Sequence, residues 1–176
     1  MPALSAPAAP YARAASAAPV TPPDVWVDTV TVPSAVLGPV EVRETDRVHF
    51  AAGLYGFAAA RDFALLPAGH AGLWWLQSVV EPGLVFLLAD PFPAFPGYAP
   101  DVPDAEVAAL GGGLAPAPEQ VALFAVVTLG ADGAASANLR APVLVDVRAR
   151  RARQVVLPAE PRGVAEPFAL PAARAA

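Results

Sequence analysis

Two histidines, His49 and His70, are the only imidazoles in a chain that has no cysteine. A metal held by them would need carboxylates to complete its shell, and the spacing supplies no such set. His49 stands beside Phe50 at the end of a short apolar run, and His70 lies in an Ala-Gly loop. Ser78 follows Gln77 and is not set in a Gly-x-Ser-x-Gly elbow, so it reads as a sheet hydroxyl and not a nucleophile. Asp101, Asp104 and Glu106 are accounted for as charges at the start of a helix, not as an acid/base pair. Gly111-Gly112-Gly113 follows that helix and has no Lys-Ser/Thr after it, so it is no phosphate loop. Absence of cysteine removes disulfides, thiolate chemistry and Cys-ligated zinc. No catalytic residue, no metal site and no cofactor is expected, and the chain does not read as an enzyme.

What remains is chemistry of recognition. Trp75, Phe92, Phe95 and Tyr98 lie in an aromatic-rich stretch punctuated by Pro91, Pro93 and Pro96. Rings held by prolines lose little side-chain entropy on binding, which makes them good interface anchors. The alternative is that they plug the end of a sheet, and the residues alone do not choose. Gln77 and Asn138 are polar groups in apolar surroundings; bracing of the backbone is favoured over presentation to a partner. Arg148, Arg150, Arg151 and Arg153 are the basic cluster. Without interleaved aromatics they read as a solvated hairpin tip before they read as a contact for nucleic acid or an acidic partner.

These residues need elements to position them. Two apolar runs, Leu73–Val79 and Leu84–Ala89, flank Glu81-Pro82-Gly83 and read as strands joined by a tight turn. Val25–Val32, Val36–Arg43 (bent at Gly38), Val48–Phe50 and Asp62–Leu66 read as strands before them. Val121–Leu129, Ser136–Leu139, Pro142–Val147 and Gln154–Leu157 read as strands after them, with Arg148–Arg151 as a turn. One helix is predicted after Asp101 as cap, with Pro103 in its first turn, Val107 and Leu110 facing the sheet, and the triple glycine ending it. The pattern gives a mostly β fold: an antiparallel, barrel-like small domain with one short helix.

The chain has 176 residues, 56% apolar, with 22 prolines and a net charge of −5. That length is enough for one domain with its own core. Every basic residue is arginine, and alanine and proline gather at the two ends. The expected organisation is a disordered Ala/Pro-rich tail over 1–24, a β domain over 25–158 and a second Pro/Ala-rich tail over 159–176. Pro2, Pro7 and Pro10 interrupt any apolar core of a secretory signal, and no run approaches the roughly 18 apolar residues of a membrane span. The acidic balance disfavours binding to nucleic acid and suits a basic protein partner.

Trp75-Leu76-Gln77-Ser78-Val79, Pro82, Leu84 and Phe86, followed by Asp90-Pro91-Phe92, Phe95-Pro96 and Tyr98, resemble the flagellar assembly factor FliW family. Two later blocks are similar to it in the same order: Ser136-Ala137-Asn138-Leu139-Arg140-Ala141-Pro142-Val143, and Arg153-Gln154-Val155-Val156-Leu157. The resemblance spans Val36 to Leu157. Where the family pattern reads F-P-x-G-I-P-G-F-E, this chain has Phe50-Ala51-Ala52-Gly53-Leu54-Tyr55-Gly56-Phe57-Ala58. Both glycines remain; both prolines and the glutamate are replaced. The resemblance implies a compact β fold acting in the cytoplasm as a monomer on its own. It implies two partners, flagellin and the translational repressor CsrA, with CsrA antagonism relieving repression of flagellin mRNA. Gly53, Leu54, Gly56 and Phe57 then join the candidate partner-binding residues. An apolar ligand inside a small barrel, or an enzyme on such a barrel, is the competing reading.

Overall fold

The computed structural model describes residues 29–112 and 115–170. The expected 1–24 tail lies outside the described residues, as do Val25–Asp28 and Gly113. Among the described residues there are ten strands: β1 Thr29–Val32, β2 Val40–Arg43, β3 Arg47–Phe50, β4 Asp62–Pro67, β5 Leu73–Ser78, β6 Val85–Ala89, β7 Val121–Leu129, β8 Ala135–Asp146, β9 Arg151–Gln154 and β10 Glu166–Phe168. Two short helices, α1 Pro91–Ala94 and α2 Asp104–Leu110, interrupt them.

Seven strands, β3 to β9, follow one another around a closed ring, because β9 pairs with β8 on one edge and β3 on the other. Neighbours alternate in direction. A closed ring with an odd number of alternating strands must contain one parallel pair, and here it is β3–β9. That join is short, with only His49↔Arg151 and Phe50↔Ala152 in register. By contrast, β7 and β8 pair along nearly their whole lengths. The expected antiparallel barrel is therefore present, with a parallel seam imposed by strand number.

The interior is built from the alternate residues of all seven strands. Val48, Phe50, Phe63, Leu76, Leu88, Phe124, Val143, Val145 and Ala152 meet there, each nearly or fully buried. Phe50 and Phe63 pack edge to face at 5.2 Å. A second core lies outside the barrel. The outer faces of β5 to β8, with Leu73, Leu87, Leu123, Leu139 and Leu144, are covered by α1, α2, the segment after α1 and β10. A strand buried on both faces reads as an unbroken apolar run and not as an alternation, which is what Val121–Val127 shows. β1 and β2 form a separate hairpin-like pair, with Val32 and Val42 packed on Ala64.

Several expectations are corrected. Ser136–Leu139 and Pro142–Val147 are one strand, β8. The register shift between Phe124 and Val126 sets Pro142 inside the irregular stretch between Asn138 and Val143, so the proline's missing N–H disrupts no ladder position. The returning strand starts at Arg151, three residues before the expected Gln154, and the turn before it holds Arg150 at φ 56°. β2 begins only at Val40, since Ser34 and Gly38 close a turn by reciprocal backbone bonds. Asp101 does not cap α2, whose N-terminal flank is Pro103. Asp90 instead caps a helical turn that was not expected, accepting from the Phe92 N–H at 3.0 Å. The domain also does not end at Pro158: β10 pairs antiparallel with the start of β8, Phe168 opposite Ala135. An Ala/Pro-rich composition concealed a strand of only three residues.

Candidate functional site

The aromatic stretch turns inward. Phe95 and Tyr98 are buried at 8% and 4% exposure, while Phe92 and Trp75 are half-buried at the margin of the outer core. The cover is the C-terminal segment. Phe168 stacks on Phe95 at 6.2 Å, and the Arg162 guanidinium lies 5.7 Å above the same ring. Arg162 also donates to the Pro96 carbonyl. Tyr98 donates its hydroxyl to the Leu139 carbonyl at 2.7 Å. Burial, then the nearby Glu160 carboxylate, pushes the Tyr98 phenol well above its ordinary range, and Arg162 opposes this. Of the expected ledge, Trp75 and Phe92 keep surface to offer.

Gln77 and Asn138 brace the backbone. Gln77 is fully buried on β5, and its Nε2 donates to the carbonyls of Ser78, Glu81 and Leu84, holding the β5–β6 turn. Ser78 Oγ accepts from the Val80 and Glu81 N–H groups in the same turn, the sheet hydroxyl having a local role. Asn138 Oδ1 accepts from the Ala141 N–H across the β8 bulge. His49 Nδ1 lies 2.8 Å from Asp62 Oδ1 on the barrel surface, and no group of three or more possible metal ligands occurs among the described residues.

The glycine loop behaves differently. It leaves β3 at Phe50, drops Leu54 into the barrel end at 4% exposure, and returns to the β4 side. Gly53 adopts φ +70°, and a Cβ there would meet the Phe57 carbonyl oxygen at 2.6 Å, so only glycine fits. Gly56 also has positive φ, at +84°. Phe57 packs edge to face on Phe86 but stays 42% exposed, and Tyr55 is 62% exposed. The Tyr55 N–H donates to Gln154 Oε1, tying the loop to β9.

Between this loop, the end of α2 and β9 lies a cleft of about 580 Å³. Leu54, Ala109 and Leu110 give apolar wall; Arg151, Arg153 and Gln154 give the polar side. Glu106 of α2 pairs with Arg153. Arg151 is exposed and has no carboxylate within ion-pair distance among the described residues. Its guanidinium lies over Gly112, where a Cβ would collide with Nη1. Arg148 is exposed on the turn, whereas Arg151 and Arg153, expected at the hairpin tip, line the cleft. Alternation along Arg151–Gln154 was the signal that could have separated them. Ala51, Tyr55 and Ala58, the three departures from the loop pattern, all line this cleft.

Comparison with known proteins identifies the company this geometry keeps. A family model described as FliW protein matches residues 31–168. The chain is 41% identical over 123 residues to a protein named flagellar assembly factor FliW from Symbiobacterium thermophilum, covering 68% of this chain and 87% of that one. It is 44% identical over 122 residues to the protein of that name from Syntrophotalea carbinolica, covering 68% and 84%. A crystal structure of the flagellar assembly factor FliW superposes with a TM-score of 0.70 at 31% identity, over 78% of this chain and 96% of that one. The matched region runs through β10, consistent with its place in the sheet.

Proposed function

The chain belongs to the FliW family of flagellar assembly factors, and we propose that it acts by binding two proteins in turn, flagellin and CsrA. Flagellin retained in the cytoplasm occupies it and leaves CsrA free to repress flagellin mRNA. Once flagellin is exported, the freed protein captures CsrA and translation resumes. This is partner exchange by mass action and needs no cofactor and no catalytic group. The family match carries the reading. A barrel interior filled by Phe50, Phe63, Leu76 and Phe124 supports it over a ligand-holding barrel, because such a site needs an open lumen with convergent polar groups.

Trp75 and Phe92 are the aromatic anchors this reading uses, since they remain half-exposed. The net charge of −5 would steer association with a basic RNA-binding protein, so binding should weaken as salt rises. No helix among the described residues is long and apolar enough to cross a membrane. The test is a titration of the purified protein with CsrA of its own organism, with flagellin as competitor. Saturable CsrA binding that flagellin reverses is the expected result; binding of neither protein would end the proposal. Phe92→Ala should weaken at least one of the two complexes without unfolding the protein.

A further inference from the structure

We propose that the seam cleft is a docking groove for an extended acidic peptide segment of a partner protein, with an apolar side chain of that segment as its anchor. Three features converge on one place. The first is an open edge. β9 pairs with β8 on one side throughout, but with β3 only as far as Phe50↔Ala152. Beyond that point β3 turns away into the glycine loop. The β9 backbone at Gln154 then faces the cleft with no strand beside it on that side. An extended peptide can add to such an edge through main-chain hydrogen bonds.

The second feature is charge. Arg151 and Arg153 both line the cleft and Glu106 offsets only one of them, on a molecule whose overall charge is −5. A guanidinium offers a fork that matches a carboxylate, and Arg151 is already extended over Gly112, which makes room for it. The occupant must therefore be acidic, opposite in character to a basic partner drawn to the remaining surface. The third feature is shape. The volume of about 580 Å³ falls among ligand-sized clefts and is walled by Leu54, Ala109 and Leu110, which suit one aliphatic side chain. In the same cleft Ala51 and Ala58 present small side chains, Tyr55 presents an exposed ring, and none of the three adds a carboxylate.

The inference goes beyond flagellin and CsrA, and its test needs neither, so its failure leaves the preceding reading standing. The probe is the capped peptide Asp-Leu-Glu-Val-Asp, titrated into the isotopically labelled full-length protein, with Lys-Leu-Lys-Val-Lys as the charge-reversed control. Expected are saturable amide shifts at Gly53, Gly56, Gly112 and Gln154 with the acidic peptide alone. Arg151→Glu should weaken binding by about tenfold or more. Arg148→Glu changes net charge equally but lies outside the cleft, and should leave the affinity within about twofold. No saturable shifts, shifts confined to the Trp75–Phe92 face, equal binding of the basic peptide, equal loss in the two arginine variants, or equally tight occupation by free succinate would each overturn the proposal.

Discussion

The segments Pro91–Tyr98 and Phe50–Phe57 are alike in composition and opposite in fate. Both are short, rich in aromatic and small residues, and both follow a strand that ends at the barrel rim. In the first, Phe95 and Tyr98 are almost wholly buried; in the second, Tyr55 and Phe57 keep 62% and 42% of their surface. The difference comes from outside either segment. Phe168 and Arg162 come from the far end of the chain to cover Phe95, whereas nothing among the described residues covers the glycine loop's outer face in that way. Aromatic rings at a strand end are therefore core or surface according to whether a distant segment reaches them.

Substitutions can break or sharpen that contrast. The largest effect is expected for Phe95→Ala, which removes a ring sandwiched in the outer core; urea denaturation should show a loss of about 3–4 kcal/mol. If Phe95 were a surface anchor the loss would be near zero. Gly53→Ala should cost about 2–3 kcal/mol, since its backbone lies at φ +70° and the added methyl meets the Phe57 carbonyl. Such a loss would show that the loop, though exposed, has a fixed shape. Tyr98→Phe leaves the Leu139 carbonyl without its donor and should cost about 1–2 kcal/mol.

That last substitution has a pH signature. The chain contains no lysine or cysteine, so tyrosines are the side chains that titrate near pH 10. Burial in the folded protein raises the Tyr98 pKa above the ordinary phenol value of about 10. The neutral phenol is favoured by folding, so its contribution is fully present below pH 10 and declines as pH rises above that value. Wild-type stability should fall through that window, and Tyr98→Phe should flatten the fall. The smallest effect belongs to Tyr55→Ala, expected within about 0.5 kcal/mol because the exposed ring is dispensable and the loop's backbone bond to Gln154 survives.

Much of the barrel was legible beforehand. The limits of β3, β5 and β7 follow from apolar runs bounded by Gly, Pro and Asp, which act within a few residues of themselves. The bracing by Gln77 and Asn138 was also accessible, since an amide amid apolar neighbours must find partners nearby. Hidden were β10, too short to leave a periodic trace, and the continuity of β8 through Pro142, which depends on a bulge opposite β7. The cleft was hidden most fully: its walls come from β3, α2 and β9, elements distant along the chain.

Local chemistry therefore settled where most of the barrel strands lie, that no catalytic constellation is spelled out, and which family the motifs resemble. Only tertiary structure decided which rings are covered, where an odd strand count leaves its parallel seam, and which arginines face a shared cleft. The reason is one of range: backbone preference and alternation act over a turn or two, while burial and charge pairing depend on what the rest of the chain brings alongside.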